Sequence, residues 1–264
     1  MTRIYTNDII KIYYTKYFQL LQIQENISMN KSKELIIFSQ IEIENKISKY
    51  KGMKVSVLKE SLSMPLKDNK ASFVQLARKM MGITNNKLSL CDDRVDAVLK
   101  TVRLTGMETP AEAMSFMPVN FKEWSETLSW ESSSLYRYFN EKTLVLFIFQ
   151  QYPTGKRVDD SEMTFLDAKV WKMSEYDLNH GLKEVWERVR YLINADKLEI
   201  TPVKQKNGKI INKNNLPSGQ FNTLGHLRPG AINGDDKVLL STGQRIVKQR
   251  FWFNNEYVKE IIDL

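Results

Sequence analysis

The residues best equipped for chemistry are cationic and lie late in the chain. Gly225-His226-Leu227-Arg228-Pro229 sets an arginine among residues that shape the backbone. A guanidinium presents paired N–H donors that match a phosphate or the acceptor edge of guanine. Gly225 permits close backbone approach to a ligand, Pro229 stiffens the turn, and His226 is a packing or phosphate-contacting ring. Upstream, Lys204, Lys206, Lys209 and Lys213 surround Asn207-Gly208, a hairpin-turn signal. Ammonium groups there suit phosphate contacts, which position a protein without reading sequence. Arg245, Lys248 and Arg250 precede the last strand and offer the same chemistry. The competing account is an ion-paired arginine and a solubilising basic loop.

Other chemistries fit poorly. The histidines are His180 and His226, with no Ser or Cys partner at a recognisable nucleophile motif, so a Ser–His–acid triad is not expected. Cys91 stands alone, without metal-ligand spacing; it reads as a packing residue and excludes an intrachain disulfide, which fits a reducing cytoplasm. Lys206-Asn207-Gly208-Lys209 is a turn and not a nucleotide cradle.

Charge is distributed unevenly. The 264 residues carry Lys+Arg 39 against Asp+Glu 31, a net charge of +8. Thr201 to Leu264 hold ten Lys/Arg against five Asp/Glu, more than half of that excess, and Lys46 to Lys59 hold five lysines and no acid. A basic balance implies an anionic partner. The aromatic content argues against disorder. Polar residues Asn7, Asp8, Lys11 and Lys16 break any leader-like apolar run, and the densest apolar stretch, Leu144 to Phe149, is far shorter than a membrane span. A soluble protein with no membrane partner is expected.

Elements must position these residues. Met1 to about Ile43 reads as helical, and Val55 to Leu62 as a short segment between loop signals at Lys51-Gly52 and Met64-Pro65. Phe73, Leu76, Ala77 and Met80 recur at helical spacing over Ser72 to Met81, and Gly82 ends that helix. Val95 to Leu104, Thr143 to Tyr152 and Phe165 to Met173 read as strands, and the second is apolar on both faces. Phe121 to Leu128 is a short amphipathic helix; Ser174 caps a longer one running to about Ile193. Strands Leu198 to Val203 and Lys209 to Ile211 flank the hairpin turn. Thr223 to Arg228 and Gln249 to Phe253 follow, and Asn254 caps a last helix over Glu256 to Ile262. Trp171, Trp186 and Trp252 sit in apolar patterns and read as core. The whole is an α/β domain over residues 66–264 with a helical extension over 1–65.

Several segments in this order resemble one nuclease family. They are Val98-Leu99-Lys100-Thr101-Val102, Leu144 to Phe149, Trp186-Glu187-Arg188-Val189, Gly225 to Pro229, and Phe251-Trp252-Phe253-Asn254-Asn255-Glu256-Tyr257-Val258. Together they are similar to the MutH/Sau-type family, most closely to the C-terminal half of its two-domain GATC-specific type II restriction enzymes. The resemblance runs from about Ser72 to the end. It implies a PD-(D/E)XK nuclease fold, a mixed sheet flanked by helices around a cleft for duplex DNA. It also implies that the Arg228-Pro229 loop enters the DNA groove and that Lys70 lies at the cleft edge.

Active members use an Asp, then Glu-x-Lys on the next strand, to hold Mg²⁺ and activate water, with a further Glu from the preceding helix. Lys100 keeps the lysine position here. Val98 stands where the Glu belongs, Cys91 where the Asp belongs, and Arg78 where the helix Glu belongs. Asp92 and Asp93 are off register; Asp96 shares strand parity with Val98 and Lys100 and is the one relocated ligand to consider. A lone carboxylate is a poor magnesium site. The expectation is a chain that binds double-stranded DNA without cutting it, the regulatory half of such an enzyme, needing no cofactor. Its partner would be a catalytic half or a second copy of itself. Starting at Met1-Thr2, it fits a separate subunit, a fragment or a split-gene remnant. The alternatives are an active Mg²⁺-dependent endonuclease, alone or with a partner chain, and a non-enzymatic protein-interaction module.

Overall fold

A computed structural model describes residues 30–65, 71–206, 208 and 210–263. The expected helix before residue 30, the cleft-edge Lys70, and Asn207 and Lys209 of the hairpin turn lie outside the described residues.

The chain is built around strand β4 (Thr143–Gln150), which is buried along almost its whole length. It pairs in parallel with β2 (Val95–Leu104) and antiparallel with β5 (Thr164–Trp171). A short β1 (Lys87–Leu90) hairpins onto β2, giving a mixed sheet in the order β1-β2-β4-β5. Alternation along β4 divides the core in two, because successive side chains leave opposite faces. Val145, Phe147 and Phe149 join one cluster with Ile43, Ile47, Val55, Leu58, Phe73 and Leu76. Leu144, Leu146 and Ile148 join the other with Phe139, Val185, Val189, Phe251 and Phe253. The fold is thus α/β, a mixed sheet flanked by helices.

The first flank comprises α1 (residues 30–47), α2 (Val55–Ser61) and α3 (Ser72–Met81). Gly82 ends α3 at φ 70°, a left-handed conformation that glycine adopts without a Cβ penalty. Residues on both sides of position 65 share this cluster, and Gln40 of α1 closes the edge of the sheet. Its side-chain amide donates to the Ala168 carbonyl at 2.9 Å and accepts from Val170 N at 2.7 Å, satisfying two edge groups of β5.

The second flank holds α4 (Phe121–Glu126), α5 (Ser134–Glu141), and a long helix whose pieces are α6 (Glu175–Asp177), a π turn (Leu178–Leu182) and α7 (Lys183–Asn194). Ser174 caps it by accepting from Asp177 N at 3.0 Å. The π turn, which the apolar spacing did not reveal, brings Gly181 against Leu224, 3.1 Å from where a Cβ would stand.

A second sheet lies over this flank. It is antiparallel, in the order β3 (Met114–Pro118), β11 (Gln249–Phe253), β8 (Gly225–Pro229). Its inner face is aromatic: Phe116 and Phe253 meet Phe139 of α5 with ring centroids 4.5–5.0 Å apart. Two hairpins complete the chain: β6 (Ile200–Lys204) with β7 (Ile210–Asn214), and β9 (Lys237–Leu239) with β10 (Arg245–Val247). α8 (Asn255–Asp263) ends it.

Four expectations need correction. Strands β1, β3, β9 and β10 and helix α5 were not anticipated, because each is short or lacks sustained apolar periodicity. Arg250 lies within β11 and not before it. Asn254 does not cap α8 with its side chain; Nδ2 donates to the carbonyls of Gly219, Asn222 and Thr223 at 2.8–3.3 Å and so anchors the preceding loop. Trp171 and Trp186 are buried, but Trp252 points to the outer face of the second sheet and is half-buried.

Ile43 is completely buried against the first cluster. Ile43→Ala should therefore destabilise the protein by about 2–5 kcal/mol, the usual cost of emptying a core isoleucine site. Urea unfolding measures this; an unchanged midpoint would mean that α1 adds nothing to the core.

Candidate nucleic-acid interface

The register of β8 on β11 decides which side chains face outward. Arg228 pairs with Arg250, and His226 with Trp252. Partners directly opposite in an antiparallel pair share a face. Leu227, Phe251 and Phe253 therefore point into the aromatic core, and Arg228, Arg250 and Trp252 point away from it. Arg228 is exposed, with its guanidinium 5.1 Å from the centroid of the Trp252 ring. It has no ion pair among the described residues. Arg250 donates from Nη1 to the Phe116 carbonyl at 2.8 Å.

Lys100 reaches this region from the first sheet. Its Nζ donates to the Ser115 carbonyl at 2.6 Å and stands 4.5 Å from the Phe116 ring centroid. Burial pulls its pKa down to about 8, and the nearby charge of Arg250 pushes the same way. Lys100, Ser115 and Trp252 line a cavity of about 240 Å³ together with Asn86, Arg103 and Glu112. The one carboxylate there, Glu112, is ion-paired with Arg103 at 2.8 Å.

The residues carried over from the nuclease pattern do not all converge. Val98 and Lys100 share a face of β2, and Val98 packs on the second-flank cluster. Cys91 belongs to the opposite cluster and cannot face Lys100, which corrects its placement at the aspartate position. It is buried in the β1–β2 turn, 3.2 Å from Ser39 Oγ, with its N–H donating to Glu42. The residue that the fold does bring beside β2 is Asn86, which sequence reasoning missed. Its carbonyl accepts from Leu99 N at 2.8 Å, and its Oδ1 accepts from Arg78 Nε at 2.7 Å. The signal was faint: Asn86 directly precedes β1, whose four residues alternate exposed and buried.

These donors do not fit a magnesium ion. Val98 has no lone pair to offer, and Asn86 gives a neutral oxygen already engaged by an arginine. Glu112 is neutralised by Arg103. Asp96 is exposed and bound to Lys142 in a short ion pair. Among the described residues no cluster of three or more His, Cys, Asp or Glu could hold a metal ion.

The other candidate residues scatter. His226 is buried; its Nδ1 is hydrogen-bonded to Asn254 Oδ1, and burial lowers its pKa. It shares the outward face with Trp252 but is covered by the 219–223 loop, which it helps to hold through Asn254. Gly225 is also buried: an added Cβ would stand 2.6 Å from Phe251 Cζ and 2.7 Å from the Trp252 carbonyl. Its glycine serves internal packing, which corrects the expectation of close approach to a ligand. Pro229 is exposed at the end of β8. Lys204, Lys206 and Lys213 are exposed on the β6–β7 hairpin. Arg245 is exposed on β10, whereas Lys248 is held by Asp236 at 2.5 Å, a contact that keeps the Asp236 pKa below the usual range.

The chain is 25% identical over 197 residues to the type II restriction enzyme Sau3AI of Staphylococcus aureus. The match covers 65% of this chain and 39% of that protein, so the chain spans about two fifths of its relative's length. The similarity supports a restriction-endonuclease relationship. No protein-family model matches the chain. No helix among the described residues is long and apolar enough to cross a membrane.

Two outcomes follow. Between pH 8 and the ordinary lysine value of 10.5, unfolded chains hold the Lys100 proton more tightly than folded ones. The buried charge therefore costs stability below pH 8, and the cost fades as pH rises toward 10.5. Lys100→Met should be more stable than wild type at pH 7, with the gap closing by about pH 10 in thermal unfolding; a constant gap would contradict the lowered pKa. Gly225→Ala should cost about 1–3 kcal/mol through overpacking, while its folded fraction keeps wild-type ligand binding. Native stability with lost binding would restore the close-approach role.

Proposed function

We propose that this chain binds double-stranded DNA at GATC sites as the catalytically silent, regulatory half of a type II restriction endonuclease. The observation that carries the reading is the outward face on which Arg228 and Arg250 stand opposite each other, with no free carboxylate beside them among the described residues. The similarity to Sau3AI supports DNA as the partner. On this reading the fold is of the MutH-like PD-(D/E)XK type, corresponds to the C-terminal half of the two-domain enzymes, and works in the cytoplasm.

Roles divide by reach. Arg228, free of any ion pair among the described residues and backed by the Trp252 ring, reads a base edge. Lys206, on the projecting hairpin, contacts phosphate and carries no sequence information. Lys204, Lys209 and Arg245 act likewise. The chain needs no metal in this role. A catalytic partner chain supplies the Asp and the Glu-x-Lys, or a second copy of this chain binds alongside. The named activity of the relative favours a second reading, an active Mg²⁺-dependent endonuclease completed by such a partner.

Purified chain with Mg²⁺ should leave GATC-containing plasmid uncut; cleavage that vanishes in Asp96→Ala would overturn the silent-half reading. Duplex affinity should fall steeply with salt as counterions are released. At fixed salt, Arg228→Ala should lower the ratio of GATC to scrambled-duplex affinity by roughly 10- to 100-fold, and Lys206→Ala should weaken both duplexes alike. An equal loss on both duplexes in Arg228→Ala would make Arg228 a backbone clamp.

A further inference from the structure

The interior end of the basic face carries an arrangement that base reading leaves unexplained. Two cations, Lys100 of β2 and Arg250 of β11, are tied to successive carbonyls of β3, those of Ser115 and Phe116, at 2.6 and 2.8 Å. They come from different sheets and reach neighbouring carbonyls of one strand, and Lys100 also stands over the Phe116 ring. Like charges brought together repel, and a half-buried pair is unfavourable without a counter-charge. Among the described residues, the charged groups around them do not supply one. Glu112 of the same cavity is engaged by Arg103, and Asp96 on β2 by Lys142. On α3, Arg78 is positive and held by Asn86; on β8, Arg228 is positive and exposed. Tyr138 of α5, whose pKa burial raises to about 12, is neutral at ordinary pH.

The backbone is shaped to keep Arg250 there. At Gly230 an added Cβ would lie 2.4 Å from Arg250 Cγ and 2.6 Å from Cδ. The arginine stem thus runs across the glycine, in space that any other residue would fill. Gly230 N also donates to the Lys248 carbonyl at 2.9 Å, which fixes the turn over the stem.

We propose that Lys100 and Arg250 form a two-cation site for a single phosphate group, occupying with resident positive charge the cleft that lacks metal-binding carboxylates. If the proposed function holds, that group is a DNA backbone phosphate. Arg250 is then a second phosphate-binding residue in the cleft, with Gly230 as its positioning residue. Two fixed donors, an ammonium and a guanidinium, match the oxygens of one phosphate and need no divalent ion between protein and DNA.

The test uses the full chain in EDTA, with inorganic pyrophosphate and a GATC duplex as separate probes. Millimolar pyrophosphate should raise the unfolding temperature of wild type by a few degrees, as any ligand of the folded state does. The rise should be lost in Lys100→Gln, Arg250→Gln and Gly230→Ala, and kept in Lys259→Gln, an exposed lysine of α8. Arg250→Lys, which keeps the charge, should retain part of it and guards against a folding defect in Arg250→Gln. Duplex affinity in EDTA should fall about tenfold in each of Lys100→Gln and Arg250→Gln, the usual loss for one charge-assisted contact. Pyrophosphate protection that survives both glutamine substitutions overturns the site. Protection that depends on both residues, in a wild type that binds no duplex, upholds the anion site and overturns the DNA reading instead.

Discussion

The pairing of β8 with β11 is the constraint on which the candidate interface depends. Side chains alternate across a strand, so one register buries Leu227, Phe251 and Phe253 and presents Arg228 and Arg250 outward. A one-residue slip of β11 would drive Arg250 into a cluster of phenylalanines and expose Phe251 and Phe253. Burying an unpaired guanidinium costs far more than any hydrogen bond it could recover there. Gly225 locks the register, since it fits closely against Phe251 and the Trp252 carbonyl. Gly225 thus acts on the candidate interface at one remove, by holding the strand that carries Arg228.

The same sheet solves an electrostatic problem. A cluster of cations with no acids among them is destabilising unless each is otherwise held. Here Lys100 and Arg250 are held by β3 carbonyls, Lys100 also by the face of Phe116, and Arg228 rests over Trp252. Backbone dipoles and ring faces orient these groups without neutralising them, which leaves their charge available to an anion. Glu112 and Asp96, the nearby acids, are occupied by Arg103 and Lys142. A cleft of this kind differs in principle from one that gathers carboxylates around a metal: its resident charge is positive.

Local signals were enough to place the strongly periodic elements. Helix α3 with its glycine stop, strand β2, the Ser174 cap and strand β11 follow from spacing and capping chemistry that act within a few residues. The absence of an acid at Val98 was equally legible, because side-chain identity needs no fold to be read. Clustering of basic residues late in the chain was also plain from sequence. Strands β1 and β3 were not, since four or five residues of mixed polarity gain their stability from neighbours far along the chain.

What the sequence determined by itself was therefore which elements form and which ligands are missing. Only the tertiary structure decided which side chains meet. It set Asn86 beside β2 and sent Cys91 to the other face of the sheet, although spacing along the chain pointed to Cys91. It buried His226 beneath the 219–223 loop and turned Trp252 outward from an apolar run. It joined Lys100 to Arg250 across 150 residues of chain through adjacent carbonyls of a strand that no local pattern announced. The physical reason is range: propensity and capping act over a turn or two, whereas convergence at a site is set by sheet register and packing between elements remote in sequence.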